Sequence, residues 1–173
     1  MNKTDLNKIC IFYKMSKIKA VCIIAGKCEG IVELEEYGPK KTKIILYIKK
    51  LKPNTSHAFH IHETGDMRNG CKSLKGHYNP HNKNHGGPGD KDRHVGDFGN
   101  LIADKKGEVN ISFTSDLVKL KGKNSVIGRS LVIHFGVDDL GKGGNAESLK
   151  TGNAGARMGC GIIGYAQNSK LYF

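Results

Sequence analysis

The sequence predicts an all-β protein, an eight-stranded antiparallel Greek-key β-barrel of the immunoglobulin-like sandwich type with two long functional loops. Three observations predict this class. Short β-prone segments recur along the chain, Gly is abundant at 23 of 173 residues while Trp is absent, and two long Gly-rich segments interrupt the strand pattern. The length suits one domain with a sizeable core, and this composition suits strands joined by long loops better than a helical bundle.

The predicted strands are runs of alternating or β-branched residues bounded by turn signals. They comprise residues 18–26, 30–37, 42–51, 57–63, 96–104, 107–115, 129–135 and 159–167. The two long loops cover residues 64–96 and 138–157. Structureless loops of this length are usually functional or disordered, and the six histidines between His57 and His85 argue against disorder in the first loop.

The chain divides into three parts. Residues 1–16 are predicted to be a flexible N-terminal extension in which Met15 could be a second start site, residues 17–167 the domain, and residues 168–173 a C-terminal tail. No stretch is long enough for a membrane helix, and the apolar patch at residues 9–13 is too short for the core of a signal peptide. The sequence therefore predicts a cytoplasmic protein with no membrane partner.

The formal net charge is +12, and three explanations are open: solubility, nucleic-acid binding and attraction of a small anion. The sequence contains no zinc finger, no aromatic-rich basic strand and no basic helix. We therefore expect no nucleic-acid partner. The charge alone does not decide between solubility and attraction of an anion.

The segment "FHIHE" places His60 and His62 on one face of a predicted strand. Alternate side chains of a strand share a face, so Phe59 and Ile61 can enter the core while both imidazoles project together from the other side. Such a pair can coordinate one metal ion. Taken alone, however, it is more often a pair of surface histidines than a pair of ligands.

The first loop then supplies a second group of metal-binding side chains, His77, His85, His94 and Asp97. Three imidazoles and one carboxylate make a complete tetrahedral set for Zn²⁺. The alternative is a His-rich solvated loop that binds nothing specific. Tight-turn residues at 86–88, the sequence Gly-Gly-Pro, favour the ordered metal site.

One more histidine, His134, ends the apolar strand "SLVIH". Leu131 and Ile133 are expected to face the core, which leaves His134 on the opposite face. A lone histidine at a strand end is usually structural, but beside two candidate metal groups it is a plausible additional copper ligand, since imidazole-rich sites suit Cu(II) and Zn(II).

The motifs as a whole identify a family. "HAFHIHETGD", "GCKSLKGHYNP", "HGGPGDKDRHVGDFGNL" and "GRSLVIHFGVDDLGKGGNAESLKTGNAGARMGCGIIGYAQ" closely resemble the Cu/Zn superoxide dismutases. The resemblance extends from Lys17 to Gln167, and its motifs are long and stand in the order of the family.

The resemblance implies one copper and one zinc per subunit and assigns the ligands. Copper would be bound by His60, His62, His77 and His134, and zinc by His77, His85, His94 and Asp97. His77 would thus bridge both metals. Asp138 would hydrogen-bond to a copper histidine, His60, and to a zinc histidine, His85, while His57 would be structural and bind no metal.

The resemblance also assigns residues around the metals. Arg157 would hold a small anion beside copper, and together with His77 it would be catalytic. Cys71 and Cys160 would form an intrasubunit disulfide, although intracellular disulfides are unusual. Glu147 and Lys150 match positions that would guide the anion electrostatically, and we hypothesise that Lys142 forms a positive funnel with Lys150 and Arg157. Cys22 is expected to pack inside the barrel, and Cys10 and Cys28 to be free.

The implied reaction is dismutation of superoxide to O₂ and H₂O₂ by a copper ion that is reduced and reoxidised in alternation. The implied partners are superoxide as substrate, a second subunit in a homodimer, and a copper-loading chaperone. The dimer contact would involve Gly65, Ile127, Gly128 and Tyr165. Thr64 and Arg68 depart from the family pattern there, and Phe135 departs from it at the expected rim of the active-site pocket.

Two other functions are weighed against this one. A copper-binding decoy with the same fold would have no need for Arg157, which is retained with all seven ligand positions. A copper-chaperone module would carry a CxxC motif, and the sequence has none.

Overall fold

Ten strands organise the part of the chain that the structure describes, eight of them in the main sheet path. The computed structural model describes residues 17–167; the proposed extension, Met15, Cys10 and the proposed tail lie outside the described residues. The strands are β1 (Lys19–Gly26), β2 (Glu29–Tyr37), β3 (Lys41–Lys49), β4 (Ser56–His62), β5 (Arg68–Cys71), β6 (Asp97–Ile102), β7 (Val109–Ser115), β8 (Ser130–His134), β9 (Arg157–Ile162) and β10 (Gly164–Tyr165). A 3₁₀ turn spans Lys72–Leu74, and a single-turn helix, α1, spans Ser148–Thr151.

The strands follow the order β6-β4-β8-β9-β1-β2-β3-β7, with β10 pairing with β1. All pairs between these strands are antiparallel. β1 joins the two halves of this order, β6-β4-β8-β9 and β2-β3-β7. It pairs with β2 from Lys19 to Ile24 and with β9 only at Ala25 and Gly26. The connections from β3 to β4 and from β6 to β7 cross between the halves. The result is a nearly closed antiparallel barrel, which confirms the predicted fold class.

The barrel interior is filled by the inward residues of each strand. In β3 these are Ile44, Leu46 and Ile48, all at most 1% exposed, while the residues between them are more open to solvent. β4 is different, because both of its faces are buried. Phe59 and Ile61 enter the core, and the histidines of the other face are covered by the two long loops. This double burial is the structural basis of the site described below.

The predicted strands agree with the observed ones within two residues, except at the end of the chain. The predicted strand 159–167 is in fact β9 and the short β10, separated at Ile163. The structure also adds β5, which was not predicted because its sequence, "RNGC", is polar and has no alternation. Among residues 17–167, no helix has the length and hydropathy needed to cross a bilayer.

The disulfide between Cys71 and Cys160 is present, as the resemblance implied. It joins the first long loop to β9, with 5.9 Å between the Cα atoms of two cysteines that are 89 residues apart in the sequence. Cys22 is buried in the barrel as predicted, and Cys28 is buried and free. Burial raises the pKa of Cys22 to about 12 and that of Cys28 to about 11, so both thiols are unreactive at neutral pH.

Candidate metal centre

The first cluster of imidazoles lies on the outward face of β4 and β8. His60 and His62 come from β4, and His134 from the end of β8, with the rings of His62 and His134 stacked at 5.4 Å. An isolated bridge between the backbones of His62 and His77 brings the first loop against β4. One ring nitrogen of each of these four histidines lies within 4.8 Å of one from every other. We call this group the copper cluster.

The second cluster, the zinc cluster, converges on one carboxylate oxygen. Asp97 Oδ1 lies 3.0 Å from Nδ1 of His77, 3.0 Å from Nδ1 of His85 and 3.1 Å from Nδ1 of His94. The ligand atoms of a tetrahedral zinc site are about 3.3 Å apart when each lies about 2 Å from the metal. His60 also approaches this group, because its ring centroid is only 3.9 Å from that of His77.

Five of the six histidines have one ring nitrogen held by a group outside the clusters. Nε2 of His60 and Nε2 of His85 donate to the two oxygens of Asp138, at 2.8 and 2.7 Å. Backbone carbonyls accept the other three bonds, from His62 to Lys75, from His134 to Gly155 and from His94 to Lys83. A proton fixed on one ring nitrogen leaves a lone pair on the other, which faces the cluster.

His77 differs from these five histidines, because both of its nitrogens face a cluster. Nδ1 lies in the zinc cluster beside Asp97, whereas Nε2 is buried in the copper cluster with no hydrogen-bond partner among the described residues. The geometry alone therefore makes His77 the one of these rings that can contact both clusters through opposite atoms.

Unpaired buried nitrogens test whether metals fit here. Nδ1 of His60, Nε2 of His77 and Nδ1 of His85 are buried without a hydrogen bond; the last lies 3.0 Å from Asp97 Oδ1 but is not aligned for one. Burying an unpaired polar atom is costly. Cations would satisfy these lone pairs, and the donor sets are right: imidazoles for copper, and three imidazoles with a carboxylate for zinc.

Asp138 is held so that it can serve both clusters. Its Oδ1 also accepts from the backbone N–H of Leu140 at 2.7 Å. Gly152, with φ at +65°, lies against it, and a Cβ at this position would overlap Asp138 Oδ1 and crowd His85 Nε2. Burial opposes ionisation of Asp138, but its hydrogen bonds with His60 and His85 prevail and lower its pKa.

His85 differs in protonation from the copper-cluster rings in the absence of metal. Burial, helped by repulsion from His77, lowers the pKa of His60 to about 3 and that of His62 to about 2; burial also lowers that of His134 to about 4. Burial acts to lower the pKa of His85 too, but its hydrogen bond to Asp138 and the negative charge of the nearby Asp97 raise it to about 9. At neutral pH the copper-cluster rings are therefore neutral, and His85 is a cation.

An open cavity of 430 Å³ leads to the copper cluster. His62, His77 and His134 lie at its base, and Arg157 stands at its side, half-buried. The Arg157 guanidinium donates to the carbonyls of Cys71 and Lys75. The Lys75 carbonyl also accepts from His62 Nδ1, so Arg157 has a fixed position relative to the cluster. The cavity thus presents a positive charge beside neutral imidazoles.

The residues expected to guide an anion lie at different depths. Glu147 lines the cavity and accepts a hydrogen bond from Thr151 Oγ1 at 2.7 Å. Lys150, in α1, and Lys142 are exposed on the second loop and do not line it. The expectation for Phe135 was wrong: Phe135, which follows the last residue of β8, lines a separate groove with Lys27 and Lys52 and not the rim of this cavity.

Several supporting residues were not predicted. The carbonyls of Lys75, Lys83 and Gly155 orient three histidines, and Asn100 fixes the backbone of Asp138. Backbone acceptors leave no signal in a sequence, since every residue carries a carbonyl. His57 donates from Nδ1 to the His134 carbonyl at 3.0 Å, in accord with the structural role expected for it.

Comparison with known proteins agrees with this geometry. The family model for copper/zinc superoxide dismutase matches residues 28–163. A copper-zinc superoxide dismutase of Paramecium bursaria Chlorella virus 1 is 51% identical over 152 residues, covering 88% of this chain and 81% of that protein. Those of Candida glabrata and Saccharomyces cerevisiae are 51% and 49% identical over 150 residues, each covering 85% of this chain and 97% of the relative. The chain belongs to the copper/zinc superoxide dismutase family of oxidoreductases.

Proposed function

We propose that this protein converts two superoxide anions and two protons to O₂ and H₂O₂. The observation that carries the proposal is the position of Arg157, a fixed cation beside a cavity whose base is formed by imidazole nitrogens with free lone pairs. A protein that only stored metal would need the imidazoles, but it would not need a guanidinium beside the open cavity.

We further propose the ligand assignment. His60, His62, His77 and His134 would hold copper, and His77, His85, His94 and Asp97 would hold zinc, one ion of each per subunit. When bound, copper would supply reversible one-electron transfer and zinc a fixed positive charge. Asp138 and the three backbone carbonyls keep the rings in the tautomers that such ligands need.

Arg157 would bind and orient the substrate. Its guanidinium keeps its charge at any working pH, although burial lowers its pKa. Because both of its described hydrogen bonds go to backbone carbonyls and not to a carboxylate, the charge of Arg157 is not neutralised by an acidic partner in those contacts. An anion that enters the cavity would therefore lie beside this charge and the histidines.

His77 would hold and deliver a proton. Its Nε2 is buried and has no partner among the described residues, and the residue lines the cavity. With Nδ1 directed into the zinc cluster beside Asp97, the ring would stay in place while Nε2 gains or loses its proton. A proton on Nε2 would lie within the same cavity as the substrate that must accept it to become H₂O₂.

The test is the superoxide-decay rate of the protein loaded with copper and zinc, measured by pulse radiolysis together with metal content. We expect Arg157→Leu to keep both metals and to lose activity by about 10²-fold, as for removal of a preorganised donor. Arg68→Leu, a matched change at an exposed arginine outside the cavity, should keep full activity. Bound copper and zinc without superoxide consumption would instead identify a decoy protein.

We also propose that the protein is a homodimer. Gly65 and Gly128 are in close contact, Ile162 lies beside Gly65, and Ile162 and Tyr165 are 44% and 65% exposed. Gly65, Gly128 and Ile162 thus place apolar surface beside the first loop, and Tyr165 follows in the next strand. Sedimentation should show a dimer that Ile162→Glu converts to monomer, whereas Ile102→Glu, at an isoleucine that is 73% exposed on β6, should have no effect. A monomeric unmodified protein would refute the proposal.

We also propose that a chaperone loads the copper and that the protein is cytoplasmic. A copper-loading chaperone would supply the metal, which predicts low copper content after expression without such a partner and recovery when one is co-expressed. Fractionation of cells tests the cytoplasmic location predicted from the sequence.

A further inference from the structure

A methionine lies directly against the disulfide. Met67 Sδ is 3.8 Å from Cys160 Sγ. A disulfide sulfur carries no hydrogen, so this contact is the packing of two sulfur atoms. Met67 is 38% exposed, which opens this sulfur group to solvent. Three sulfur atoms, those of Cys71, Cys160 and Met67, thus lie together at the base of the first loop.

The loop holds Met67 near Cys71 by hydrogen bonds that do not depend on the disulfide. The Gly70 N–H donates to the Met67 carbonyl at 2.9 Å, and Gly70 has a φ of +54°, in the left-handed region. Ser73 Oγ donates to the Asp66 carbonyl at 2.6 Å and closes the same turn. The turn should therefore persist, with its methionine in place, when the disulfide is reduced.

The surroundings of Cys71 are positively charged. Cys71, Lys72 and Arg157 line one surface groove of 700 Å³, and no acidic side chain lines it. Arg157 also donates to the Cys71 carbonyl. Two thiolates and one monovalent cation carry a net charge of −1, which these two side chains would offset.

We propose that the reduced protein binds one Cu(I) ion through the sulfur atoms of Cys71, Cys160 and Met67. Two equivalents of a small thiol reduce the disulfide, giving two cysteine thiols and one oxidised disulfide of the reductant. Cu(I) then binds both cysteines with release of two protons, and the uncharged thioether is the third ligand. Thiolate and thioether sulfur are soft ligands that select Cu(I), and a thiol reductant that opens the disulfide also keeps copper in this state.

This sulfur site is separate from the copper cluster. Arg157 stands between them, contacting the carbonyl of Cys71 on one side and that of Lys75, the partner of His62, on the other. The sulfur site can exist whether or not the protein is a dismutase, because it needs the disulfide reduced and does not use the histidines.

X-ray absorption at the copper edge tests the third ligand. The full chain is prepared with selenomethionine in the His62→Ala/His134→Ala background, which removes two competing imidazoles, then reduced with a thiol and loaded with one equivalent of Cu(I). We expect a selenium neighbour of copper that disappears in Met67→Leu and remains in Met158→Leu, the matched change at the other described methionine. A copper spectrum with nitrogen neighbours only, or selenium scattering that survives Met67→Leu, would refute the site.

Competition with a chromophoric Cu(I) chelator gives an independent measure in the same background. Loss of the thioether should weaken binding by about tenfold or more, which is about 1.4 kcal/mol, while Met158→Leu leaves the affinity unchanged. Oxidation to the disulfide should abolish this binding in all variants. Equal affinity in Met67→Leu and Met158→Leu would overturn the proposal, and circular dichroism of the oxidised variants checks that each one folds.

Discussion

Asn100 and Asp138 exchange two hydrogen bonds between β6 and the second long loop. The Asp138 N–H donates to Asn100 Oδ1 at 2.8 Å, and Asn100 Nδ2 donates to the Asp138 carbonyl at 2.9 Å. This reciprocal pair fixes the backbone of Asp138, so that its carboxylate lies between the Nε2 atoms of His60 and His85. One side chain thereby sets the orientation of a ring in each cluster.

We expect Asp138→Asn to weaken the binding of both metals. An amide keeps only one acceptor oxygen, so His60 and His85 cannot both keep their bond, and loss of such a partner typically costs about 10–100-fold in metal affinity. Competition with metal chelators measures this. Asp139→Asn is the control, since Asp139 accepts from Ser148 and not from a histidine; an equal loss there would mean that the loop, not the carboxylate, is responsible.

Zinc binding should release a proton from His85. The pKa of this residue is raised to about 9 in the metal-free protein, so at pH 7.5 it is protonated and must lose that proton to coordinate zinc. Titration calorimetry at pH 7.5 in buffers of different ionisation enthalpy should report release of about one proton, falling towards zero above pH 9. An unchanged zinc affinity between pH 7.5 and 9 would contradict this assignment.

The metal-free protein should be most stable near pH 6.5. His60, His62 and His134 have a folded-state pKa of about 3, 2 and 4, below the unfolded value of about 6.5. As pH falls below 6.5, the unfolded chain takes up protons that the folded chain excludes. Each such histidine lowers the free energy of unfolding by up to about 1.4 kcal/mol per pH unit.

His85 acts in the opposite direction above this pH. Its folded-state pKa of about 9 lies above the unfolded value, so its stabilising effect is fully present below pH 6.5 and is lost as pH rises towards 9. Urea unfolding of the metal-free protein from pH 5 to 9 should therefore give a maximum near pH 6.5. His85→Gln should remove the decline on the alkaline side only; a flat profile in the unmodified protein would contradict both assignments.

The sequence allowed the barrel to be predicted because alternation is a local property. Ile44, Leu46 and Ile48 reveal β3 by themselves, and "FHIHE" reveals that two imidazoles share the face opposite the core. Hydrogen-bond acceptors are not local in this sense. The path of the first loop brings the Lys75 carbonyl to His62. No residue type in the sequence indicates that this carbonyl will accept the bond.

The disulfide and the role of Asp138 were available only through the family resemblance. Cys71 and Cys160 are 89 residues apart, and five cysteines alone allow many pairings. The side to which Phe135 projects could not be read from the sequence either, because β8 ends at His134 and the strand alternation ceases there.

Electrostatic guidance of superoxide should depend on the lysines of the second loop. Lys142 and Lys150 are exposed and stand outside the cavity that contains Arg157, so they can act only through their field. Steering of this kind raises association rates by about 10–10³-fold and fades as the Debye length falls to about 8 Å at physiological salt. We therefore expect the second-order rate constant of the metal-loaded protein to fall as ionic strength rises.

The double variant Lys142→Glu/Lys150→Glu should lower the rate at low salt and flatten its dependence on salt, with no change in metal content. Lys105→Glu/Lys106→Glu makes the same change in net charge at an exposed turn between β6 and β7. If guidance is local to the cavity, this control variant should keep most of the second-order rate constant, because its substitutions lie outside the second loop and the cavity that contains Arg157. An equal loss in both variants would assign the effect to the net charge of +12 as a whole, and a rate independent of salt would exclude steering.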